Sequence, residues 1–140
     1  LQQQIEELGL KDRVTLLGGL KEEKKQAYFG ACDVFCLSSV MKTEAYAIVL
    51  VEAMSLGRPV IATKIPESGV SWVNAHEVSG LNVPVRDPEA LAEAIHKICG
   101  DPDLWKRYSQ GARQRYDDTF TKDEMINNLI EAYTQLLNNN

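Results

Sequence analysis

Residues 44–63 read EAYAIVLVEAMSLGRPVIAT, and this stretch decides the fold. An unbroken apolar run lies between two carboxylates, Glu44 and Glu52, and a glycine and a proline close the pattern. β-branched residues favour a strand, but a segment of about a dozen residues closed by Gly and Pro is better explained by a buried helix. We therefore predict a helix over 44–56, followed by a buried strand over 60–63.

The elements on either side alternate between helix and strand patterns. Before the central stretch, the predicted elements are helix 2–8, strand 14–17, helix 22–32 and strand 34–39. After it come an edge strand over 81–84 and three helices that start at the capping residues Asp87, Asp101 and Thr121. Strands alternating with helices predict an α/β fold, with a parallel sheet covered by helices on both faces.

Several of these helices carry apolar side chains at helical spacing, among them helix 22–32 and the last helix. In helix 22–32 the predicted apolar side consists of Ala27, Tyr28 and Ala31. In the last helix it consists of Met125, Leu129, Tyr133, Leu136 and Leu137. Such stripes are typical of helices packed on a core.

The composition is that of an ordinary globular domain. The 140 residues are enough for one domain with a buried core, and the contents of 44% hydrophobic and 25% charged residues are unexceptional. A formal net charge of −5 argues against nucleic acid as a partner, because phosphate neutralisation needs clustered lysines and arginines. No apolar run approaches the roughly 20 residues that span a bilayer.

The three cysteines, Cys32, Cys36 and Cys99, are an odd number and predict no disulfide framework. We expect each to be a buried, reduced thiol, which indicates a cytoplasmic setting. With two histidines and no paired Cys or His spacing, we expect no metal site. The sequence opens inside a helical pattern without an initiator methionine or a signal segment, so we expect it to be an excerpt of a longer protein.

Glu44 and Glu52 are the candidate functional side chains. On a helix, eight residues at about 100° each bring the two carboxylates to within roughly 80° of each other, two turns apart. A charged Glu in an apolar helix is unfavourable unless something satisfies it, and an ionised carboxylate accepts two hydroxyls of a vicinal diol. The free N–H groups after Glu44 suit a diphosphate. A sugar–diphosphate–ribose ligand needs this combination.

A purely structural explanation accounts for the same two residues. Glu44 would cap its own helix, and Glu52 would pair with a Lys or Arg, for example Arg58. From spacing alone this explanation is favoured, because two spaced acids are a weak motif. Lys21, Lys24 and Lys25 are interleaved with acids and are likewise typical of a solvated helix face.

Residues 44–63 resemble the E-x7-E region of glycosyltransferase family 4, the retaining enzymes with two Rossmann-like domains in the GT-B fold. The family pattern is Glu, a small residue, Phe, Gly, four apolar residues and Glu, followed by Ala-Met-x-x-Gly-x-Pro-Val. The resemblance extends over nearly the whole chain, through segments 8–18, 31–39, 79–84 and 87–92. It implies the C-terminal, donor-binding half of a GT-B fold, truncated at its N-terminal side. Residues 1–140 would then be a partial nucleotide-sugar-binding domain, without its first strands and without the acceptor-binding domain.

The resemblance also implies roles for individual residues. Glu44 corresponds to the catalytic-site Glu that contacts the hydroxyls of the transferred sugar, and Glu52 to the Glu that holds the ribose diol. The N–H groups of Tyr46 and Ala47, next to Ala45 in the same donor-binding segment, would face the diphosphate. The main chain at Gly19 and Leu20 would form an edge for the base. Ser68 and Gly69 would belong to a loop that closes near the donor.

The sequence departs from the family pattern within the motif. The family's Phe-Gly pair is Tyr46-Ala47 here, which adds a hydroxyl and removes a glycine. A helical conformation at Ala47 is unstrained, whereas a positive φ would be strained. Family members also carry an Arg and a Lys that neutralise the diphosphate, on strands that would precede this chain.

The function implied by the resemblance is transfer of a hexosyl group from a nucleoside-diphosphate sugar, without a metal or another cofactor. The expected partners are the nucleotide sugar and, through the missing domain, a glycan or lipid-linked acceptor, so residues 1–140 alone would be inactive. We expect a cytoplasmic location, extending to the inner face of the membrane. Four cations could touch an anionic membrane, although neighbouring acids favour ordinary surface charge for Lys106, Arg107, Arg113 and Arg115.

Two other functions fit the same motifs. One is a binding or scaffold module that keeps the fold without turnover, and the other is a GT-B-fold epimerase that acts on a similar nucleotide sugar. Turnover with an acceptor separates a transferase from a scaffold. Isomerisation of the donor without an acceptor would identify an epimerase.

Overall fold

The computed structural model describes residues 1–138, in which a three-stranded parallel sheet is flanked by helices. The elements follow in the order α1 (Gln2–Glu7), α2 (Glu22–Ala31), β1 (Phe35–Leu37), α3 (Ile48–Ser55), β2 (Val60–Lys64), α4 (Val70–Val73), β3 (Gly80–Pro84), α5 (Pro88–Cys99), α6 (Pro102–Arg115), a π-helix (Tyr116–Phe120) and α7 (Lys122–Asn138). The predicted α/β class is confirmed.

The sheet has the order β1-β2-β3, so β2 is hydrogen-bonded on both sides. Val60 lies opposite Phe35 on one side and opposite Gly80 on the other. Parallel neighbours need long crossovers, and α3 and α4 lie in the two crossovers of this sheet. β3 is an edge strand, as the sequence predicted.

Both faces of the sheet are buried. Alternate residues of β2 point to opposite faces, so they show what covers each face. Val60 and Ala62 belong to one hydrophobic cluster, and Ile61 belongs to another. The first cluster takes Leu50, Ala53 and Met54 from α3, and the second takes Ala94 and Ile98 from α5 with Tyr108 from α6. Val60, Ile61 and Ala62 are all fully buried, which confirms that helices cover both faces of the sheet.

A buried polar network fixes the end of α4 against β3. Asn74 is fully buried, and its amide Nδ2 donates to the main-chain oxygen of Leu81 and to Oδ1 of Asn82, both at 2.9 Å. Ser79 Oγ donates to Asn74 Oδ1, also at 2.9 Å. Because each of these buried groups is satisfied, the network stabilises this one arrangement of the loop.

The helix starts follow local capping chemistry. Asp87 Oδ1 accepts from the Ala90 N–H at 2.9 Å, and Pro88 occupies the first helical position. Asp101 Oδ1 accepts from two N–H groups at the start of α6. Thr121 Oγ1 accepts from the Glu124 N–H at 3.3 Å before α7. The three predicted caps are confirmed.

The predicted strand over 14–17 is wrong. This segment has no regular secondary structure, and its side chains are largely exposed. An extended segment becomes a strand only when it is hydrogen-bonded to a neighbouring strand, and this one has no such neighbour among residues 1–138. The buried side of α2 also differs from the prediction, since Phe29 is buried and Ala27, Tyr28 and Ala31 are exposed.

The predicted helix over 44–56 begins later than expected, at Ile48. Ala47 precedes it with φ 59° and ψ 58°, in the left-handed region, so the four residues from Glu44 form a loop and not a first turn. Glu44 and Glu52 therefore do not share a helix, and the predicted angle between them does not apply. The helix ends at Ser55, before Gly57, as predicted.

The apolar stripe of α7 is exposed. Met125, Leu129 and Tyr133 are each more than half exposed, and α7 has no buried residue within the described chain. Cys99 is also exposed, which corrects the expectation of a buried thiol there, while Cys32 and Cys36 are half-buried. Throughout residues 1–138 the helices are too short or too polar to cross a bilayer.

Gly111 allows α6 to approach the loop before β3, and a side chain there would be destabilising. A Cβ at Gly111 would lie 2.1 Å from the Val78 carbonyl oxygen. We expect Gly111→Ala to lower the free energy of unfolding by about 1–3 kcal/mol, because the two backbones must separate. Chemical denaturation of the protein measures this change.

Gly30→Ala is the matched control for that measurement. Gly30 lies in α2, and a Cβ there meets no atom within 4 Å. We expect it to be neutral or to stabilise by about 0.5–1 kcal/mol, because alanine is the better helix former. Equal effects of the two substitutions would contradict the close approach at Gly111.

Candidate functional site

The site lies where the chain leaves β1 at the carboxyl edge of the sheet, which is where open α/β sheets bind ligands. Beyond Leu37 the chain continues through Ser39 to Glu44. Thr63, near the end of β2, donates from Oγ1 to the main-chain oxygen of Ser39. The segment that leads into the site is therefore attached to the central strand.

Two loops meet at this edge. The first, residues 44–47, is named the donor loop after the role that the resemblance implies for it, and the second contains Ser68 and Gly69. Ser68 Oγ donates to the main-chain oxygen of Glu44, and the Gly69 N–H donates to the Ala45 oxygen at 2.8 Å. The structure thus brings the predicted residues of both loops together.

Gly69 is needed for space and not for its backbone angles. Its φ is −73°, which any residue adopts. A Cβ at this position, however, would lie 2.7 Å from the Ala45 oxygen. Any larger residue would push the donor loop away from α4.

Ala47 ends the donor loop in a strained conformation. Its φ of 59° is unfavourable for a residue with a Cβ, and its methyl group is buried in the core. The turn leaves the N–H groups of Tyr46 and Ala47 without acceptors among the residues described. These groups and the first N–H groups of α3 form a region of partial positive charge.

Glu44 is half-buried beside this region. Its Oε2 accepts a hydrogen bond from Ser39 Oγ at 3.3 Å. The alternative that Glu44 caps its own helix is wrong, because α3 begins four residues later, after Ala47. The carboxylate faces the site as a hydrogen-bond acceptor with capacity to spare.

Glu52 pairs with a lysine, Lys25, and not with Arg58, which was the example that the sequence offered. Lys25 Nζ lies 2.9 Å from Glu52 Oε1, whereas Arg58 donates to the main-chain oxygen of Cys32 at 3.2 Å. Glu52 Oε2 is buried and has no hydrogen-bond partner within the described part of the chain. A buried carboxylate oxygen without a donor is unfavourable, so this atom is a candidate contact for a ligand.

Lys25 belongs to a small ion-pair network. Its Nζ also lies 3.0 Å from Glu22 Oε2 on the same helix, and 5.9 Å from the centre of the Phe29 ring. The hydrogen bonds to Glu52 and then to Glu22 raise the pKa of Lys25 above its ordinary value. Lys25 is thus not part of a purely solvated face, which is a correction to the sequence interpretation.

Gly19 and Leu20 lie in the irregular segment directly before α2. Because Glu22, Lys25 and Glu52 share one network, the first turn of α2 lies beside Glu52. Gly19 and Leu20 therefore come shortly before the helix whose Lys25 contacts Glu52.

An aromatic cluster beside the donor loop was missed by the sequence analysis. The rings of Tyr46, Trp72 and Phe120 lie 5.5–6.3 Å apart, centre to centre. The Arg115 guanidinium lies over Trp72 and Phe120 at 5.3 and 5.4 Å, and its Nε donates to the Val73 oxygen at 2.8 Å. The only signal in the sequence was an aromatic residue at the motif position of Tyr46.

These contacts bear on two of the four cations for which the sequence left membrane contact as the less favoured alternative. Arg115 is half-buried, and burial lowers its pKa. Arg113 pairs with Asp117 at 2.7 Å and donates to the Ser55 oxygen. Arg113 is an exposed, paired charge, which agrees with the interpretation as ordinary surface charge, whereas Arg115 is half-buried and differs from it.

An apolar cavity of about 330 Å³ adjoins the site. Tyr46, Val51, Glu52 and Phe120 line it, so it runs from the donor loop along the outer side of α3. A second cavity, of about 290 Å³, lies at the carboxyl edge between Ser38, Thr63 and Arg86. Of the residues described, no three His, Cys, Asp or Glu side chains are grouped so as to hold a metal ion.

The chain is similar to glycosyltransferases in sequence. O-antigen chain mannosyltransferase C of Escherichia coli is 34% identical over 124 residues, which cover 89% of this chain and 33% of that protein. Lipopolysaccharide core biosynthesis glycosyltransferase LpsD of Rhizobium meliloti is 31% identical over 95% of this chain and 37% of its own length. The chain thus spans about a third of the length of these relatives.

Solved structures show the same architecture. Anabaena Alr3699/HepE, in complex with UDP, has a TM-score of 0.85 and 28% identity, over 96% of this chain and 35% of that one. Sucrose-phosphate synthase from Thermosynechococcus elongatus has a TM-score of 0.82 and 30% identity, over 99% of this chain and 34% of that one. The Rossmann-like GT-B expectation is confirmed.

The family model described as glycosyl transferases group 1 matches residues 1–115, which is most of the chain. This match agrees with the motif of the donor loop and α3, and with the architecture shared with the solved glycosyltransferases. The chain therefore belongs to the group 1 glycosyl transferases.

Proposed function

We propose that this chain is the donor-binding part of a retaining glycosyltransferase. The enzyme would move a hexosyl group from a nucleoside-diphosphate sugar to a glycan or lipid-linked acceptor. The observation that carries the proposal is the donor loop, which places a carboxylate, free N–H groups and a helix N-terminus side by side. The UDP bound in the Anabaena structure supports the choice of ligand class.

Glu44 is the proposed contact for the transferred sugar. Ser39 holds one carboxylate oxygen at 3.3 Å, and the other is available to accept sugar hydroxyls. A carboxylate held in this way can favour one sugar orientation, because its lone pairs are fixed relative to the sheet. Ser68 and Gly69 support the same loop from the opposite side through the Glu44 and Ala45 carbonyls.

The diphosphate is assigned to the N–H groups of Tyr46 and Ala47 and to the start of α3. Developing negative charge on a leaving diphosphate is stabilised by such preorganised donors and by cations. We propose that neither a metal nor another cofactor takes part. Further cations would come from a part of the protein outside this chain.

Glu52 is the proposed acceptor for the ribose diol. Its Oε2 is buried without a donor, and a ribose hydroxyl would supply one. Gly19 and Leu20, which precede α2, are the proposed main-chain edge for the base. The nucleotide would then extend from the donor loop along α3 towards α2.

The wider setting follows from the relatives. Because the chain spans about a third of their length, we propose that it is a partial donor domain and that the acceptor binds elsewhere in a longer protein. Residues 1–140 alone should then transfer no sugar. The free thiols of the three cysteines support a cytoplasmic location, and a lipid-linked acceptor would place the enzyme at the inner face of the membrane.

A titration of the whole protein with UDP-, GDP- and ADP-sugars tests the function. We expect one base to bind tightly, and we expect transfer to an acceptor with the anomeric configuration retained, as read by NMR. Binding without turnover would instead indicate a scaffold. Donor isomerisation without an acceptor would indicate an epimerase, and no binding to any of the three would overturn the proposal.

Glu52→Gln tests the ribose assignment. We expect nucleotide-sugar binding to weaken by about 1–3 kcal/mol, because a neutral amide accepts the diol less strongly than a carboxylate. Calorimetry on the whole protein measures the change. Glu89→Gln, an exposed acid in the first turn of α5, is the control and should bind normally. An unchanged dissociation constant for Glu52→Gln would make the ribose role untenable.

Gly69→Ala tests the support of the donor loop. The added methyl group would press on the Ala45 oxygen, so we expect donor binding to weaken by about 1 kcal/mol or more, roughly fivefold in Kd. Gly30→Ala adds the same methyl group away from any neighbour and should leave the Kd unchanged. Wild-type affinity for Gly69→Ala would show that the donor loop does not depend on this contact.

A further inference from the structure

Lys25 is the cation in contact with the Glu52 carboxylate within residues 1–138. We propose that Lys25 is a positioning residue for donor recognition, which orients Glu52 so that the carboxylate can accept a ribose diol. The inference rests on the proposed function of Glu52 and extends it to a second side chain, 27 residues away in sequence.

The contact has the geometry of a directed ion pair. Lys25 Nζ and Glu52 Oε1 are 2.9 Å apart, and the two side chains are 29% and 25% exposed. At this distance the ammonium group donates a charge-assisted hydrogen bond, which fixes the plane of the carboxylate more strongly than a neutral donor would. The contact also joins α2 to α3, the two helices that border the proposed nucleotide path.

Lys25 is itself held in place by its own helix. Glu22 Oε2 lies 3.0 Å from Nζ, and the Phe29 ring lies on the other side at 5.9 Å. A lysine side chain loses considerable rotamer freedom when it is ordered, and these two contacts have already ordered it. Binding of the ligand therefore needs no further ordering of Lys25.

Within the described chain, the Glu52 carboxylate receives its side-chain hydrogen bond from Lys25, on Oε1. Arg58, the nearby alternative in sequence, donates to the Cys32 carbonyl instead. Glu52 Oε2 has no partner, so Lys25 provides the charge compensation of this largely buried group. Without it, an ionised carboxylate would be unpaired, and it would turn towards solvent.

The pair leaves room for a ligand. An ionised carboxylate has about four acceptor positions, and the lysine uses one of them on Oε1. A quarter of the Glu52 side chain is exposed, so a ligand can reach it. A diol then takes the remaining positions while Lys25 stays bonded to Oε1.

The experiment compares nucleotides with and without the diol, in the whole protein. The probes are UDP, GDP and ADP with their 2′,3′-dideoxy forms, titrated by calorimetry. The variants are Lys25→Met, which keeps the length of the side chain without its charge, and Lys25→Arg, which keeps the charge. Lys24→Met on the same helix is the matched control, since Lys24 is exposed.

For the wild type, we expect loss of the diol to weaken binding of the preferred nucleotide about tenfold. In Lys25→Met, binding of the normal nucleotide should weaken by about the same factor, and the difference between the two forms should nearly disappear. Lys25→Arg should restore the difference, and Lys24→Met should behave as wild type. Lys25→Met and Glu52→Gln together should be little worse than either alone, because both remove the same interaction.

Each contrary result points to a different error. If the wild type binds nucleotide without regard to the diol, the ribose role of Glu52 is wrong, and the role of Lys25 fails with it. If the wild type depends on the diol and Lys25→Met depends on it equally, the inference about Lys25 is wrong while the proposed function stands. Tighter binding by Lys25→Met would show that Lys25 competes with the ligand. Circular dichroism melting shows whether a variant is unfolded. Lys25→Arg keeps the ion pair, so the ratio of its affinities for the normal and dideoxy nucleotides repeats the test in a variant that keeps the charge.

Discussion

The hydrogen bonds of β2 to a parallel neighbour on each side determine where the site can form. Phe35 to Leu37 pair with Val60 to Ala62, so the carboxyl ends of β1 and β2 come to the same edge. The two loops that leave this edge, 44–47 after β1 and the one with Ser68 after β2, must therefore lie side by side. Their contacts through the Glu44 and Ala45 carbonyls follow from that adjacency. The pairing of the strands thus determines which loops are adjacent, and the donor loop is shaped by contacts with its neighbour.

Two cations connect helices across this framework. Lys25 joins α2 to α3, and Arg115 joins the end of α6 to the last carbonyls of α4. Each makes its contact with a group that would otherwise be buried and unsatisfied, either a carboxylate or the free carbonyls at a helix end. Both lie within one contact of the donor loop or of Glu52. The electrostatics of the site therefore extend beyond the motif into helices that border it.

The sequence predicted those parts of the fold that are determined by local chemistry. The starts of α5, α6 and α7 follow from caps within three residues, and β2 and β3 follow from short apolar runs beside turn formers. The start of α3 could not be read in this way. Propensity lets the helix extend back to Glu44, but Ala47 is left-handed and the Ala45 oxygen accepts from the Gly69 N–H, so the helix begins at Ile48. The strand predicted over 14–17 failed for a similar reason, because a strand depends on a neighbour.

For the candidate site, too, the sequence predicted the local motif but not its long-range partners. The motif located the donor loop and Glu52, but the partner of Glu52 lies 27 residues away, and no local pattern distinguishes Lys25 from Lys24 or Lys21. The aromatic cluster around Tyr46 draws its members from three distant segments. Long-range partners of this kind are set by how the helices pack, which a single sequence does not contain.

Ala47 has a consequence for how this protein can vary. Its left-handed backbone disfavours most side chains, and its buried position disfavours the polar asparagine or aspartate that otherwise tolerate such angles. Only glycine and alanine satisfy both conditions. Their codons differ by a single base, so the position can alternate between the two by one mutation. Such a change would alter the stiffness of the donor loop while its path stays the same.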